Sequence, residues 1–514
     1  MSEEKISSGI NKPSATNKQL QWLPLGIILL VATALYLYQL GTESLWVDEL
    51  YSVNDAKGVP ERIGLIRPVY YILLHFWMFL GSSDAWLRGL SVIFALVSIV
   101  LIYFLGRKVA GEGVGLIAAL LLTLSPLYIN FAQMVRMYSL GTALALGGTL
   151  ALVYTLEKPT NLSFGCWAIL RWLMIITAPL NGALIAPDIV LLVWKFRQHR
   201  RGRFLLGKWL LILLILWSPF LAILVSRSMP FLTNAFDVTA KVSSSPSTSV
   251  RHSFPTILDV IRKLRNFSAF PFPSTSRFLS WFYQGYTLMS VGLLSFALVR
   301  KHRSGKLIWI AISAFLPALM IFLVSKRLWI DRYMLFLCPY ILILLAAGFM
   351  RVWRMQRLVA IGVALVYFLA VGGGIVRYYS VLDRQDWRGI AQAITTQEQP
   401  GDAIVLSGGS PSKKMTTALA HYYSGSAPVS VNPKLCTNNN IAAADFEAAL
   451  ESLPTQSSRF WILCGEDFAP ETFNQFFGEK FQLQSHEEFR NENFYREDDF
   501  LHLFLATPSI ANPS

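Results

Sequence analysis

Stretches of apolar residues, each close to the roughly 20 needed to cross a hydrocarbon layer, recur along this chain. They fall at 22–40, 85–105, 113–131, 138–156, 164–179, 180–196, 206–225, 280–299, 307–324, 333–350 and 357–376, which makes eleven. So many apolar runs cannot share one water-soluble core; they predict a polytopic α-helical membrane protein. Composition agrees. Of 514 residues, 54% are hydrophobic and only 15% charged, where a soluble chain carries about 25% charged residues. Mean hydropathy is +0.46. The net charge of +14, from 45 basic and 31 acidic residues, would suggest nucleic acid in a soluble protein. Here it reads as the cytoplasmic surplus of Lys and Arg that membrane proteins carry, so a lipid bilayer is the expected partner and nucleic acid is not.

The basic clusters set the expected orientation. They are Arg107/Lys108, "KFRQHRRGR" (195–203), "RKHRSGK" (300–306) and "RVWRMQR" (351–357). With eleven spans and a cytoplasmic N-terminus, all four face the cytoplasm. The run at 164–179 contains Arg171, but omitting it would put three of the four clusters outside, so it counts as a span. Residues 1–21 read as a disordered cytoplasmic tail and 22–40 as an uncleaved first span. The same arithmetic places the first loop (41–84), the loop 226–279 and everything after the last span outside. "RPVYYILLHFWMFLG" (67–81) is apolar but short and aromatic, which predicts a helix lying in the interface. "SAFPFPSTS" within 226–279 reads as a mobile or membrane-skimming segment.

From about Tyr378 the pattern changes. "QPGDAIVLSGG" (399–409), "RFWILCGED" (459–467) and "FLHLFLAT" (500–507) predict strands, and "FEAALESL" (446–453) a helix. Residues 378–514 are therefore expected to form an extracytoplasmic α/β domain after the transmembrane domain 22–377. Cys436 and Cys464 both lie in it, so a disulfide is permitted there without being implied. No CxxC, zinc-ligand spacing or HExxH occurs.

The acids stand out at "TESLWVDELYSVNDA" (42–56), just past the first span. Asp48 and Glu49 are adjacent, flanked by Trp46 and Tyr51, and followed by a segment that returns to the interface. A carboxylate held among aromatic rings near headgroups is partly desolvated and so more basic. Such a group can take a proton from an attacking hydroxyl or amine. The second acid can orient the acceptor or help to hold a divalent cation; both readings stay open.

"ESLWVDELYSV", the block 67–111, "LTLSPLYINFAQMVRMYSL" (122–140), "RYMLFLCPYILILLAAG" (332–348) and "DWRGIAQAI…QPGDAIVL" (386–406) together resemble the C-type, multi-membrane-spanning glycosyltransferases. The bacterial protein O-mannosyltransferase and aminoarabinose transferase branches are the most similar. The resemblance covers most of residues 22–410 and implies transfer of a monosaccharide from a polyprenyl-phosphate donor to an envelope acceptor (lipid, glycan or protein) at the outer face of the plasma membrane. It implies Asp48 as the base, Glu49 as the acceptor-side acid, and Arg136 and Tyr138 in the donor cavity. Arg67, Tyr70 and Tyr71 would line the substrate cavity. Where many relatives carry His-Pro-Pro, this chain has Ile66, Arg67 and Pro68, so a metal or donor contact made by that histidine is not expected.

One cluster breaks the charge rule. "SKRLWIDRY" (325–333) packs Lys326, Arg327 and Arg332 around Asp331 on the outer side. The plain reading is side chains meeting headgroup phosphates. The sharper one is a cage for the donor phosphate, with Arg332 as the planar fork, Tyr333 adding a hydroxyl and Lys326 or Arg327 a second charge. Asp188, inside a span, is expected to pair with Arg171. Two other classes fit a chain of this kind: a transporter or flippase of lipid-linked sugars, and a non-catalytic envelope scaffold. The first predicts repeated halves and broken midplane helices, which the sequence lacks. The second leaves the acid pair without a purpose.

Overall fold

The computed structural model describes residues 22–59, 68–242, 255–269, 276–299, 305–324, 328–381, 384–407, 412–432, 435–436, 457–465, 473, 478, 480–491 and 499–508, without the side chains of 220, 223–242, 257, 412–414, 490–491 and 499–500. The helices, in chain order, are α1 Leu23–Leu37, α2 Val47–Lys57, α3 Pro68–Met78, α4 Asp84–Ala110, α5 Glu112–Leu124, α6 Pro126–Ala132, α7 Tyr138–Glu157, α8 Asn161–Thr177 and α9 Ile185–Phe196. They continue as α10 Arg200–Val242, α11 Ile257–Ser268, α12 Arg277–Leu298, α13 Leu307–Val324, α14 Asp331–Met334, α15 Cys338–Met355, α16 Arg357–Ser380, α17 Trp387–Gln397 and α18 Ser412–Tyr422. The strands are β1 Asp402–Leu406, β2 Val429–Val431, β3 Arg459–Cys464, β4 Phe481–Asn491 and β5 Asp499–Pro508.

The chain is a multi-pass helical membrane protein with a small C-terminal sheet. Each apolar run of the sequence carries a helix. Among the described residues seven helices are long and apolar enough to cross a membrane, or eight when α5 and α6 count as one bent span. That pair bends by 67° at Ser125–Pro126, because proline cannot continue the hydrogen-bond ladder. Ser125 caps α6 and donates its hydroxyl to the Phe267 carbonyl (2.8 Å), which ties the break to α11.

Arg171 does not disqualify α8. Its guanidinium lies fully buried 2.6 Å from Asp188, with further bonds to Thr149 and the Ala145 carbonyl, so the intramembrane charges cancel. The basic ends gather away from the acid pair: Lys108 and Lys306 both hold Glu157, at 2.8 and 2.5 Å. α3 has 11 residues and is too short to span. Within 226–279, residues 243–254 and 270–275, the latter most of "SAFPFPSTS", lie outside the described residues. α10 runs on to Val242, and Thr256 and Asp259 form a reciprocal capping box that starts the amphipathic α11.

The C-terminal sheet has the order β2-β1-β3-β5-β4. β1 pairs in parallel with β2 and β3, while β5 runs antiparallel to β3 and β4. All five residues of β1 are buried, as in a strand covered on both faces. One face continues into the helical core through Ile404, Leu406, Trp461 and Leu463. The other closes a small core of its own with Phe460, Phe473 and Phe504, in which Cys436 and Cys464 are disulfide-bonded. Residues 446–453 lie outside the described residues.

Candidate active site

The acid pair opens α2, and its two carboxylates face different surroundings. Glu49 is fully buried. It reaches back to the Trp46 N–H (3.1 Å), one half of a capping box. Its Oε1 accepts from the Val135 N–H (2.8 Å) and Arg88 Nε (3.1 Å), and its Oε2 from Arg88 Nη2 (3.1 Å). Arg384 Nη1 stands 3.5 Å from the same Oε2. Burial alone would raise the pKa of this carboxyl, but Arg384, Arg88 and the Val135 N–H together hold it below its ordinary value. Glu49 thus occupies a saturated structural site rather than a face open to an acceptor.

Arg88 extends that site. Its Nη1 donates to the carbonyls of Leu40 and Glu43 (2.9 Å each) and its Nη2 to Ser44 (3.0 Å). One guanidinium therefore fixes the loop that leads into α2.

Asp48 points the other way. Its side chain is 30% exposed, and Oδ2 lies 3.3 Å from Arg332 Nη1 on α14. Arg136 lies beneath, donating to the Asp48 carbonyl (2.9 Å) and the Ser52 hydroxyl (3.1 Å). Rings back both cations: Tyr333 lies 5.3 Å from Arg332 and Tyr138 5.7 Å from Arg136. Three N–H groups here, Trp46 Nε1, Arg136 Nε and Arg332 Nε, are buried with no acceptor among the described residues. Asp331 is not a rival for Arg332, because Lys263 neutralises it at 2.5 Å.

Of the sequence candidates, Asp48, Arg332, Tyr333, Arg136 and Tyr138 are thus assembled around α2, α7 and α14. Tyr70 is buried and spends its hydroxyl on Ser91 (3.0 Å), with Tyr71 edge-on beside it. Arg67, Lys326 and Arg327 lie outside the described residues. Arg88, Arg384 and Lys263 were not singled out from sequence. Arg88 could have been, as an ionisable residue inside an apolar span.

A divalent cation held by the acid pair does not fit these side chains. Both Glu49 oxygens are occupied by nitrogen donors, and no group of three or more His, Cys, Asp or Glu able to share a metal occurs among the described residues.

No protein-family model matches the chain, and no curated protein matches it in sequence. Solved structures do. ArnT from Cupriavidus metallidurans in the apo state aligns with a TM-score of 0.55 at 11% identity, over 95% of this chain and 98% of that one. The same protein bound to undecaprenyl phosphate gives 0.53 at 11% identity over the same shares of the two chains. The archaeal oligosaccharyltransferase AglB from Archaeoglobus fulgidus, in complex with an inhibitory peptide and a dolichol-phosphate, gives 0.54 at 12% identity, over 88% and 70%. The chain has the fold of the C-type multi-membrane-spanning glycosyltransferases.

Proposed function

We propose that the protein is an integral membrane glycosyltransferase moving a monosaccharide from a polyprenyl-phosphate donor to an envelope acceptor at the outer face of the plasma membrane. The observation that carries this reading is the part-exposed Asp48 carboxylate 3.3 Å from Arg332, on a cluster in which the Trp46, Arg136 and Arg332 side chains each keep a buried N–H with no acceptor among the described residues. Buried donors without partners are costly, and a phosphate supplies the oxygens they need. The undecaprenyl phosphate and dolichol-phosphate bound by the structurally similar proteins support the same class of donor.

In this mechanism Asp48 takes the proton from the acceptor hydroxyl or amine. The acceptor's O–C1 or N–C1 bond forms as the bond from C1 to the phosphate oxygen breaks. The electron pair leaves on the lipid phosphate, where Arg332 and Arg136 offset the growing charge. The sugar carbon passes through oxocarbenium character on the way, as in glycoside hydrolysis. Before the donor arrives, Arg332 is paired with Asp48. Its transfer to the phosphate frees the carboxylate, so the base is released only when there is something to attack. Glu49 positions: it holds Trp46, Val135 and Arg88 around the N-terminus of α2. The cystine Cys436–Cys464 supports an oxidising compartment for the C-terminal domain.

Asp48→Asn tests the proposal, because the amide keeps the shape but accepts no proton. Turnover of polyprenyl-phosphate sugar by the purified variant is expected to fall by about 10²–10⁴-fold, with an unchanged elution profile and melting temperature. Near-wild-type turnover would remove Asp48 from the chemistry.

A further inference from the structure

A cavity lies behind α2. It is a cleft of about 500 Å³ between α2 and the C-terminal domain, lined by Asn54, Lys57, Thr416, Thr417 and His421 together with the apolar Ala420 and Val431. That volume is ordinary for a small-molecule site. α2 and α18 meet tightly at one end, where the Leu45 N–H donates to the Tyr422 hydroxyl (2.6 Å) and that hydroxyl donates to Asp84 (2.8 Å). The cleft opens along the rest of the two helices.

Its chemistry is specific. Lys57 makes no ion pair among the described residues, and its exposed side chain brings an ammonium to the cleft. His421 stands 4.0 Å from Asp84, yet burial, with the neighbouring Lys57, holds its pKa below the ordinary value. At neutral pH its ring is uncharged and offers one donor and one acceptor. Thr416, Thr417 and Asn54 set polar groups beside the apolar Ala420 and Val431, a mix that matches the hydroxyl edges and C–H faces of a sugar ring, with one cation for one negative charge.

At 100° per residue, Lys57 lies on the opposite side of α2 from Asp48 and about 14 Å further along the axis. A group bound there is not the reacting one. We infer that this cleft binds an anionic saccharide, a phosphorylated or uronic sugar belonging to a remote part of the acceptor. The inference rests on the transferase reading for the word acceptor, but not for the binding itself. Contacts so far from the reacting centre supply binding energy that holds the reactive hydroxyl in place.

The test is equilibrium binding to the full chain in nanodiscs, followed by saturation-transfer NMR. The probes are glucose 1-phosphate, glucuronate, glucose, inorganic phosphate and a Glu-rich peptide. Glucose 1-phosphate or glucuronate is expected to bind, and which of the two binds identifies the source of the charge. Lys57→Glu should weaken that binding at least tenfold, Lys57→Arg should retain most of it, and Thr417→Val should weaken it several-fold. Arg332→Ala should leave it unchanged, which separates the cleft from the donor site. Asp48→Asn should also bind normally while failing to transfer; loss of transfer without loss of binding bears on the mechanism alone. No binding by either anionic sugar would overturn the inference. So would binding indifferent to Lys57→Glu, binding abolished by Arg332→Ala, inorganic phosphate binding as well as the sugars, or binding by the peptide alone.

Discussion

Two neighbouring carboxylates reach opposite fates because helical geometry separates them by 100°. Asp48 meets Arg332 at a part-exposed face, and Glu49 points into the protein. The adjacent acids were legible in the sequence, but their division of labour was not. It depends on Arg88 and Arg384, which lie 39 and 335 residues away and reach Glu49 only after folding. Glu49 has a folded pKa below its unfolded value. Its contribution to stability is therefore fully present at neutral pH and is lost as pH falls through the ordinary carboxylate range toward the folded value. Glu49→Gln leaves two buried guanidinium groups undercompensated and should cost on the order of 3–5 kcal/mol. Melting curves should show a lower midpoint for the variant at pH 7 and a smaller drop than wild type between pH 7 and pH 4. At Arg332, a planar fork is replaced poorly by a point charge. Arg332→Ala should lower turnover by about 10²-fold or more, in the range of losing one preorganised oxyanion donor. Arg332→Lys should recover only part, measured as kcat with saturating donor. Equal kcat in all three proteins would return Arg332 to a headgroup contact.

Among the elements, periodic features were readable and conditional ones were not. The long apolar helices announce themselves by length, and β1, β3 and β5 by short runs rich in Val, Ile, Leu and Phe between turns. β2 is three residues long, and its middle residue is a serine; β4 is mostly polar, with an unbroken polar run from Gln484 to Glu488. Neither carries an apolar signal of its own, because pairing to a neighbour defines them. α11 hid in a loop rich in Ser, Pro and Phe, although its capping box was present in the letters "TILD". α8 shows how a charge is tolerated within an apolar element: Arg171 meets Asp188, Thr149 and a carbonyl before it meets lipid. Asp188→Ala should therefore destabilise the protein by about 3–5 kcal/mol, since it strands a buried guanidinium. Fluorescence-detected thermal unfolding reads that loss. Donor KM should stay unchanged in the protein that remains folded; a changed KM with normal stability would instead make Asp188 part of a substrate path.

For the molecule as a whole, charge and span parity predict where each surface lies. Single cysteines placed after residue 376 or within 255–269, in a background lacking Cys166 and Cys338, should react with a membrane-impermeant thiol reagent in cells with a permeabilised outer membrane. Cysteines at 195–203 or 305–306 should not. The reverse pattern would put Asp48 in the cytoplasm and remove a donor presented at the outer face. The sequence predicts this layout because the bilayer reads charge locally. It could not specify which distant segments complete the first loop.

Those distant segments also set a clock. Ser44 donates to Asp386, 342 residues later, and the Leu45 N–H reaches Tyr422, 377 residues later. At roughly 5–20 residues per second of synthesis, the first loop waits some tens of seconds before its last partners exist. During that interval Glu49 has Arg88 but not Arg384, and the segment leading into α2 has no hydroxyl to hold it. A ribosome-bound chain thus carries Asp48 early and the contacts that fix its loop late. The first loop is completed only with the C-terminal domain, after every helix has been threaded, so the order of synthesis leaves the start of α2 open until the chain is finished.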